Sequence, residues 1–336
     1  MKQLVCDVCG GKLIMDKSRQ FSTCESCGLE YPIDAMKKMM TVPINTGKTI
    51  GNTYTEKSDF VIEGGVLKKY IGNKTHVIVP DEVIKIGENA FEEILCMDSI
   101  EIPINIIDIG DEAFKNCQNL KSISIPEGVE RIGESAFFNC NQLTSVVIPE
   151  SIKSIEFEAF KNCSNLKTIN IPDGIEEISG GVFAFCSGLE SIPIPSSYKE
   201  IPFNTFVGCT GLKEIAIGNH EIGLGAFRGC EGLISVEILN CVEDIGSSAF
   251  EYCTMLKTLI LPEPSDHLKI GTLAFDKCKS LLNVVGLTSS NYNIAFFHDC
   301  SEQFYQNVEK QGLCRICGSN QFNIFGKCKI CAKKAW

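Results

Sequence analysis

Eight of the nineteen cysteines form four Cys-x-x-Cys pairs, two near each end of the chain. At the start, Cys6-x-x-Cys9 and Cys24-x-x-Cys27 are separated by 14 residues, and each pair is followed by glycine. Two intervening residues let one tight turn present both sulfurs to a single ion, and four thiolates satisfy a tetrahedral Zn²⁺. Glycine after the second cysteine supplies the positive φ that such a turn often needs. The gap lies just below the usual range of about 15–20. At the other end, Cys314-x-x-Cys317 and Cys328-x-x-Cys331 stand ten residues apart, which suits a compact knuckle. The expectation is one structural zinc ion per set, two in all. Modules this short lack a core of their own, so metal binding would supply their folding free energy. Free cytosolic thiols are the plain alternative. A redox role is less suited to spaced double pairs flanked by glycine.

Other chemistry finds little support. Gly47-Lys48-Thr49 resembles the end of a phosphate-binding loop, but the required glycine five positions earlier is Val42. His76, His220, His267 and His298 fall in different parts of the chain, and no G-x-S-x-G or H-E-x-x-H phrase is present. The expectation is a protein that is not an enzyme, with no catalytic residues.

What positions these groups is a repeat. Ala113-Phe114-Lys-Asn-Cys117 returns as Ala136-Phe137-Phe-Asn-Cys140, Ala159-Phe160-Lys-Asn-Cys163, Val182-Phe183-Ala-Phe-Cys186 and Thr205-Phe206-Val-Gly-Cys209, every step being 23 residues. A fixed period of that length is the signature of a solenoid. In one unit, Leu120, Ile123 and Ile125 alternate as a half-buried strand, and Pro126 ends it. Val129 and Ile132 re-enter the core and Gly133 turns the chain. The three- and four-residue spacings of Ala136, Phe137 and Cys140 suggest one helical or 3₁₀ turn on the outer side. Stacked units place every strand in one parallel sheet. Phe91, Phe114, Phe137, Phe160, Phe183, Phe206, Phe227, Phe250, Phe275 and Phe296 would mark ten coils, an arc of roughly 45–50 Å. Ten cysteines accompany the phrase and Cys241 stands apart. The repeat cysteines are expected to stack as a buried column of small apolar side chains.

The unit resembles the BspA-type leucine-rich repeats over about residues 60–308, although Gly128 and Ser151 stand where the commoner leucine-rich pattern has asparagine. The resemblance implies a curved binding solenoid, with the parallel sheet on the concave side and short helical or 3₁₀ turns on the convex side. Many relatives are surface adhesins. The N-terminal ribbon and linker are similar to those of cytoplasmic bacterial members. The expected organisation is a zinc ribbon over 1–40, a linker over 41–59, the solenoid over 60–308 with a β-hairpin cap at 60–80, and a second ribbon over 309–336.

The charge is uneven. Of 31 basic and 42 acidic residues, the ends (1–40 and 309–336) take twelve and six, leaving residues 41–308 with 19 and 36, a net of −17. An acidic middle repels nucleic acid and anionic membranes. No run approaches the roughly 18 apolar residues of a membrane span. The first residues lack a signal-peptide core, so a cytoplasmic location is expected. The strand rows that begin at Ser122 and Ser124 are small and mostly polar, without the Trp, Tyr or Arg that anchor interfaces. Glu127, Glu130, Glu150, Asp173, Glu176 and Glu177 make an acidic stripe beside them. The function expected is a protein–protein interaction scaffold. The alternative is a nucleic-acid-associated adaptor that docks through the basic C-terminal ribbon, where Lys310, Arg315, Lys327, Lys329, Lys333 and Lys334 cluster.

Overall fold

The computed structural model describes residues 59–195, 197–263, 267–289 and 293–315, with the backbone of three strands near the N-terminus. Those strands, Leu13–Met15, Phe21–Cys24 and Glu30–Pro32, form an antiparallel sheet in chain order. They belong to a unit over Met1–Lys57, and the second unit runs from Ser58 to Trp336.

The described residues of the second unit form the solenoid, and its coils, apart from the one that holds Pro193 and Pro195, contribute two strands rather than one. The first set includes His76–Ile78, Ser99–Glu101, Ser122–Ser124, Ser145–Val147 and Thr168–Ile169, all parallel and in register one repeat apart. In each, the second residue points inward, as Ile123 does between exposed Ser122 and Ser124. The second set consists of two-residue strands such as Asp108–Ile109, Arg131–Ile132 and Ser154–Ile155, which form a second parallel sheet. Its isoleucines face the same core.

The expected helical or 3₁₀ turn is absent from the coils among the described residues. The chain instead makes consecutive tight turns whose inner residues lie at positive φ, for example Ser135 at 52° and Asn139 at 60°. Both helical forms need negative φ throughout, so two left-handed residues per coil exclude them. Gly133 is needed for another reason than turning. A Cβ there would lie 2.6 Å from the backbone of Gly110 in the preceding coil.

The core is a stack of rings. Ten phenylalanines, from Phe91 to Phe297, follow one another at centroid steps of 5.0–5.8 Å and within 16° of parallel. The last member is Phe297, not Phe296. Phe296 occupies the place of the repeat alanine, since its carbonyl accepts from Phe275 N as Ala136 O accepts from Phe114 N. Beside the rings runs the cysteine column. Cys163 Sγ donates to Phe137 O at 3.2 Å, and eight other thiols, from Cys117 to Cys300, reach back to the preceding coil in the same way. Cys96 is not part of it, being exposed. The column therefore holds nine thiols rather than ten.

Both ends of the ring stack are covered by aromatic side chains. The hairpin Phe60–Glu63/Val66–Tyr70, turned by Gly64 and Gly65 at positive φ, lays Tyr70 on Phe91 at 5.5 Å. At the other end helix α1, Glu302–Lys310, is N-capped by Ser301 and packs Phe304 on Phe297 at 5.1 Å. Tyr305 Oη donates to Phe297 O at 2.6 Å.

One seam interrupts the ladders. Neither sheet continues across the coil that contains Pro193, Pro195 and Pro202. Proline cannot donate to a ladder. Pro202 stands where Gly133 elsewhere donates to the Ile109 carbonyl. Tyr198 compensates: its hydroxyl donates to Ile178 O and accepts from Ile178 N, both at 3.0 Å. The ring stack widens here, to 5.8 Å between Phe160 and Phe183 and 5.5 Å between Phe183 and Phe206.

Candidate functional site

The turns that follow the second strand of each coil change character along the solenoid. In the first coils the residue after the turn glycine is Glu88, Asp111 or Glu134. In the middle coils the equivalent positions hold Phe157, Phe203 and Leu224, all exposed. A second row begins with Asn116, Asn139 and Asn162, in which each later amide donates back to the Oδ1 of the one before it at 2.9 Å, as a ladder. Asparagine tolerates the left-handed conformation of that row. The next member is Phe185, at φ 59°. A left-handed backbone costs an ordinary L-residue roughly 1–2 kcal/mol. The ring stays outside the core, lying against Gly208, where an added Cβ would meet Phe185 Cδ1 at 2.5 Å.

Phe157, Phe185 and Phe203 thus form a belt on the turn side of the seam, with Phe157 and Phe203 at 6.1 Å between centroids. They are 37%, 47% and 46% exposed. Together with Glu158, Lys161 and Arg228 they line a cavity of about 200 Å³, in which Lys161 pairs with Glu158 at 2.8 Å. Covering the remaining ring surface would remove on the order of 250 Å² of apolar area from water, roughly 6 kcal/mol of gross transfer free energy. Sequence reasoning looked for anchors on the strand face and missed this belt, because every residue in it lies between the core positions of the repeat phrase. The signal was the substitution of aromatics for Asn and Glu at fixed offsets.

The strand face does carry the polar rows expected of it. Its closest approach to a catalytic grouping is Ser99 beside His76, with Oγ 2.9 Å from Nδ1, while His76 Nε2 lies 3.3 Å from Glu101. The 23-residue step from 76 to 99 could have revealed it. Ser99 also donates to Asp98 at 3.0 Å. His76 and Glu101 stand exposed on a sheet surface, where water screens the charge stabilisation on which such chemistry depends. The acidic stripe is partly neutralised. Glu130 pairs with Lys153 at 2.9 Å, and Arg131 of the second sheet joins Asp108, Asp111 and Glu156.

Of the expected zinc ligands, Cys6, Cys9, Cys27, Cys317, Cys328 and Cys331 lie outside the described residues. Cys24 is described by its backbone, which ends the strand Phe21–Cys24 opposite Leu13. Cys314 follows α1 and is buried. Arg315, one of the cations of the nucleic-acid reading, pairs with Glu302 through both Nη atoms at 3.2 Å. The column thiols are a different population. Burial pushes Cys117, Cys186 and Cys230 up to about 12 and raises the other six as well. They are inert core groups, as expected from the repeat. Among the described residues no helix is long and apolar enough to cross a membrane.

No curated protein sequence matches the chain. Among solved structures, a leucine rich cell surface protein from Faecalibacterium prausnitzii is 27% identical with a TM-score of 0.52, over 70% of this chain and 76% of that one. A leucine-rich repeat protein from Bacteroides ovatus is 28% identical with a TM-score of 0.46, over 68% and 73%. The family model for the BspA type leucine rich repeat region matches residues 69–190 and 176–303, well over half of the sequence. With the two-stranded coil, the ring stack and the thiol column repeating across that span, the chain belongs to the BspA-type leucine-rich repeat family.

Proposed function

We propose that this protein is a non-enzymatic interaction scaffold that holds a protein partner on the aromatic belt, with a structural zinc ion in each four-cysteine set. The observation that carries the reading is Phe185. Every coil makes this turn at positive φ, but Phe185 fills it with a ring half in water beside exposed Phe157 and Phe203, and clustered exposed aromatics mark interaction surfaces. Aromatic side chains beside arginine are the usual anchors of interfaces. The solenoid's one-dimensional build supplies a rigid support.

For the zinc ions, support comes from the donor chemistry and from the N-terminal sheet. Cys24 closes one strand there, three positions before Cys27 in the sequence. Thiolate sets of this kind and the unpaired thiol column both suit a reducing, cytoplasmic setting.

The test is capture from native lysate with the wild-type chain and with F157S/F185N/F203S, each cross-linked before washing. The scaffold reading expects a discrete protein retained by the wild type and lost from the variant after nuclease treatment. Retention of the same protein by both would move the interface away from the belt.

A further inference from the structure

The charges around the belt are layered. Arg228 Nε lies 3.0 Å from Glu251, but half of the Arg228 side chain is exposed against 9% of Glu251. Lys277 sits 3.6 Å from Asp276 and 3.8 Å from Glu251, exposing 31% of its side chain while Asp276 exposes 4%. Tyr252 lies between the two cations, with its ring centroid 5.7 Å from the Arg228 guanidinium and 4.1 Å from Lys277 Nζ. The carboxylates are thus the floor and the cations the outer layer. A partner approaching the Arg228–Lys277 side meets the cations before their paired carboxylates, whereas beside the rings Lys161 and Glu158 pair at 2.8 Å and are equally exposed.

Resting on the scaffold reading, we propose that the belt binds an acidic segment of a protein partner that carries one bulky apolar anchor. The cavity of about 200 Å³ between Phe157, Phe185 and Phe203 takes a single such side chain, since about 150 Å³ suffices for benzene. Carboxylates then fall on Arg228 and Lys277. The coils bearing these two cations are separated by ring steps of 5.1 and 5.3 Å. An extended chain advances about 3.3 Å per residue, so a segment lying along the solenoid places its carboxylates about three residues apart. The anchor lies a similar distance to one side. A single-stranded nucleic acid would use the same rings and cations, but its charge at every nucleotide meets the acidic solenoid at every step.

A displayed library of random 12-residue peptides, selected on the full-length protein and re-measured by fluorescence polarisation, tests this. The expected result is enrichment of sequences with one aromatic or leucine residue and two acidic residues about three apart. Their affinity should fall at least tenfold in F203S and about tenfold in R228Q, weaken with salt, and stay unchanged in V147S on the strand face. F185N, which removes a ring and installs the residue used by neighbouring coils, should lose binding while keeping the wild-type fold by circular dichroism. Enrichment of basic or uncharged peptides, equal binding by F203S and R228Q, or no enrichment at all would overturn the proposal. So would tighter binding of a labelled thirty-nucleotide oligo(dT) that depends on the same rings. If the proposal fails in any of these ways while the lysate partner is still lost from F157S/F185N/F203S, the scaffold reading stands and only the assigned partner chemistry falls.

Discussion

Raising the pH should unfold the solenoid abruptly, because nine thiols must stay protonated inside it. Burial holds Cys117, Cys186 and Cys230 near 12 and raises the other six column thiols too. In the unfolded chain each thiol titrates near its ordinary value of about 8.5. Between those limits the unfolded state has lost protons that the folded state retains, so stability falls as pH rises. The contribution is fully present below about pH 8.5 and disappears through the range up to about 12. Each thiol contributes about 1.4 kcal/mol per pH unit, hence roughly 12 kcal/mol per unit for the column. A stability of about 5–15 kcal/mol would be exhausted within about one unit above pH 9, giving a midpoint near pH 10. Circular dichroism of the strand band from pH 7 to 11.5, in a phosphine reductant, follows the transition, and titration counts the protons released. In C163A/C186A/C209A the count should drop by three and the slope by a third. An unchanged proton count in that variant, or a strand signal that persists to pH 11.5, would refute the argument.

Replacing Phe185 should leave stability almost untouched. F185N loses the buried half of a ring, about 1–1.5 kcal/mol, and relieves a backbone strain of similar size. F183A, from the ring stack two residues away, should lose about 3–5 kcal/mol in urea titration; equal losses would mean that Phe185 is core. G133A forces a Cβ against the Gly110 backbone and should destabilise by about 2 kcal/mol or more, whereas G174A, with nothing within 4 Å, should change stability by less than about 0.5 kcal/mol. Elemental analysis of protein purified under reducing conditions should find about two zinc ions per chain and about one in C24S; a metal-free wild type would remove both ions.

The 23-residue period made the core legible in the sequence itself. Side chains at equivalent offsets stack, so Phe114, Phe137 and Cys140 could be assigned from spacing alone. The errors arose where the phrase was read loosely. Phe297 has the Phe-x-x-Cys spacing to Cys300 that Phe296 lacks, and Cys96 lies five residues after Phe91 rather than three. The second sheet was hidden because its strands are two residues long and give alternation too little length to register. The turns after the second strand looked helical because apolar spacings of three and four arise equally from tight turns with left-handed corners. The belt was illegible for a different reason. Its residues are exceptions to the repeat, and only the fold shows that exceptions from separate coils meet on one surface.

The thiol and ring contacts have a consequence for how such a chain can change over generations. Every column thiol and every stacked ring reaches only its immediate neighbour, and both ends are closed by aromatic groups that recognise any phenylalanine beneath them. A duplication or deletion of one unit among the coils that keep the 23-residue step would therefore preserve the ring and thiol contacts at the new junction. The number of coils is free to drift while the caps stay fixed. The distance from either cap to the belt would then change by whole coils.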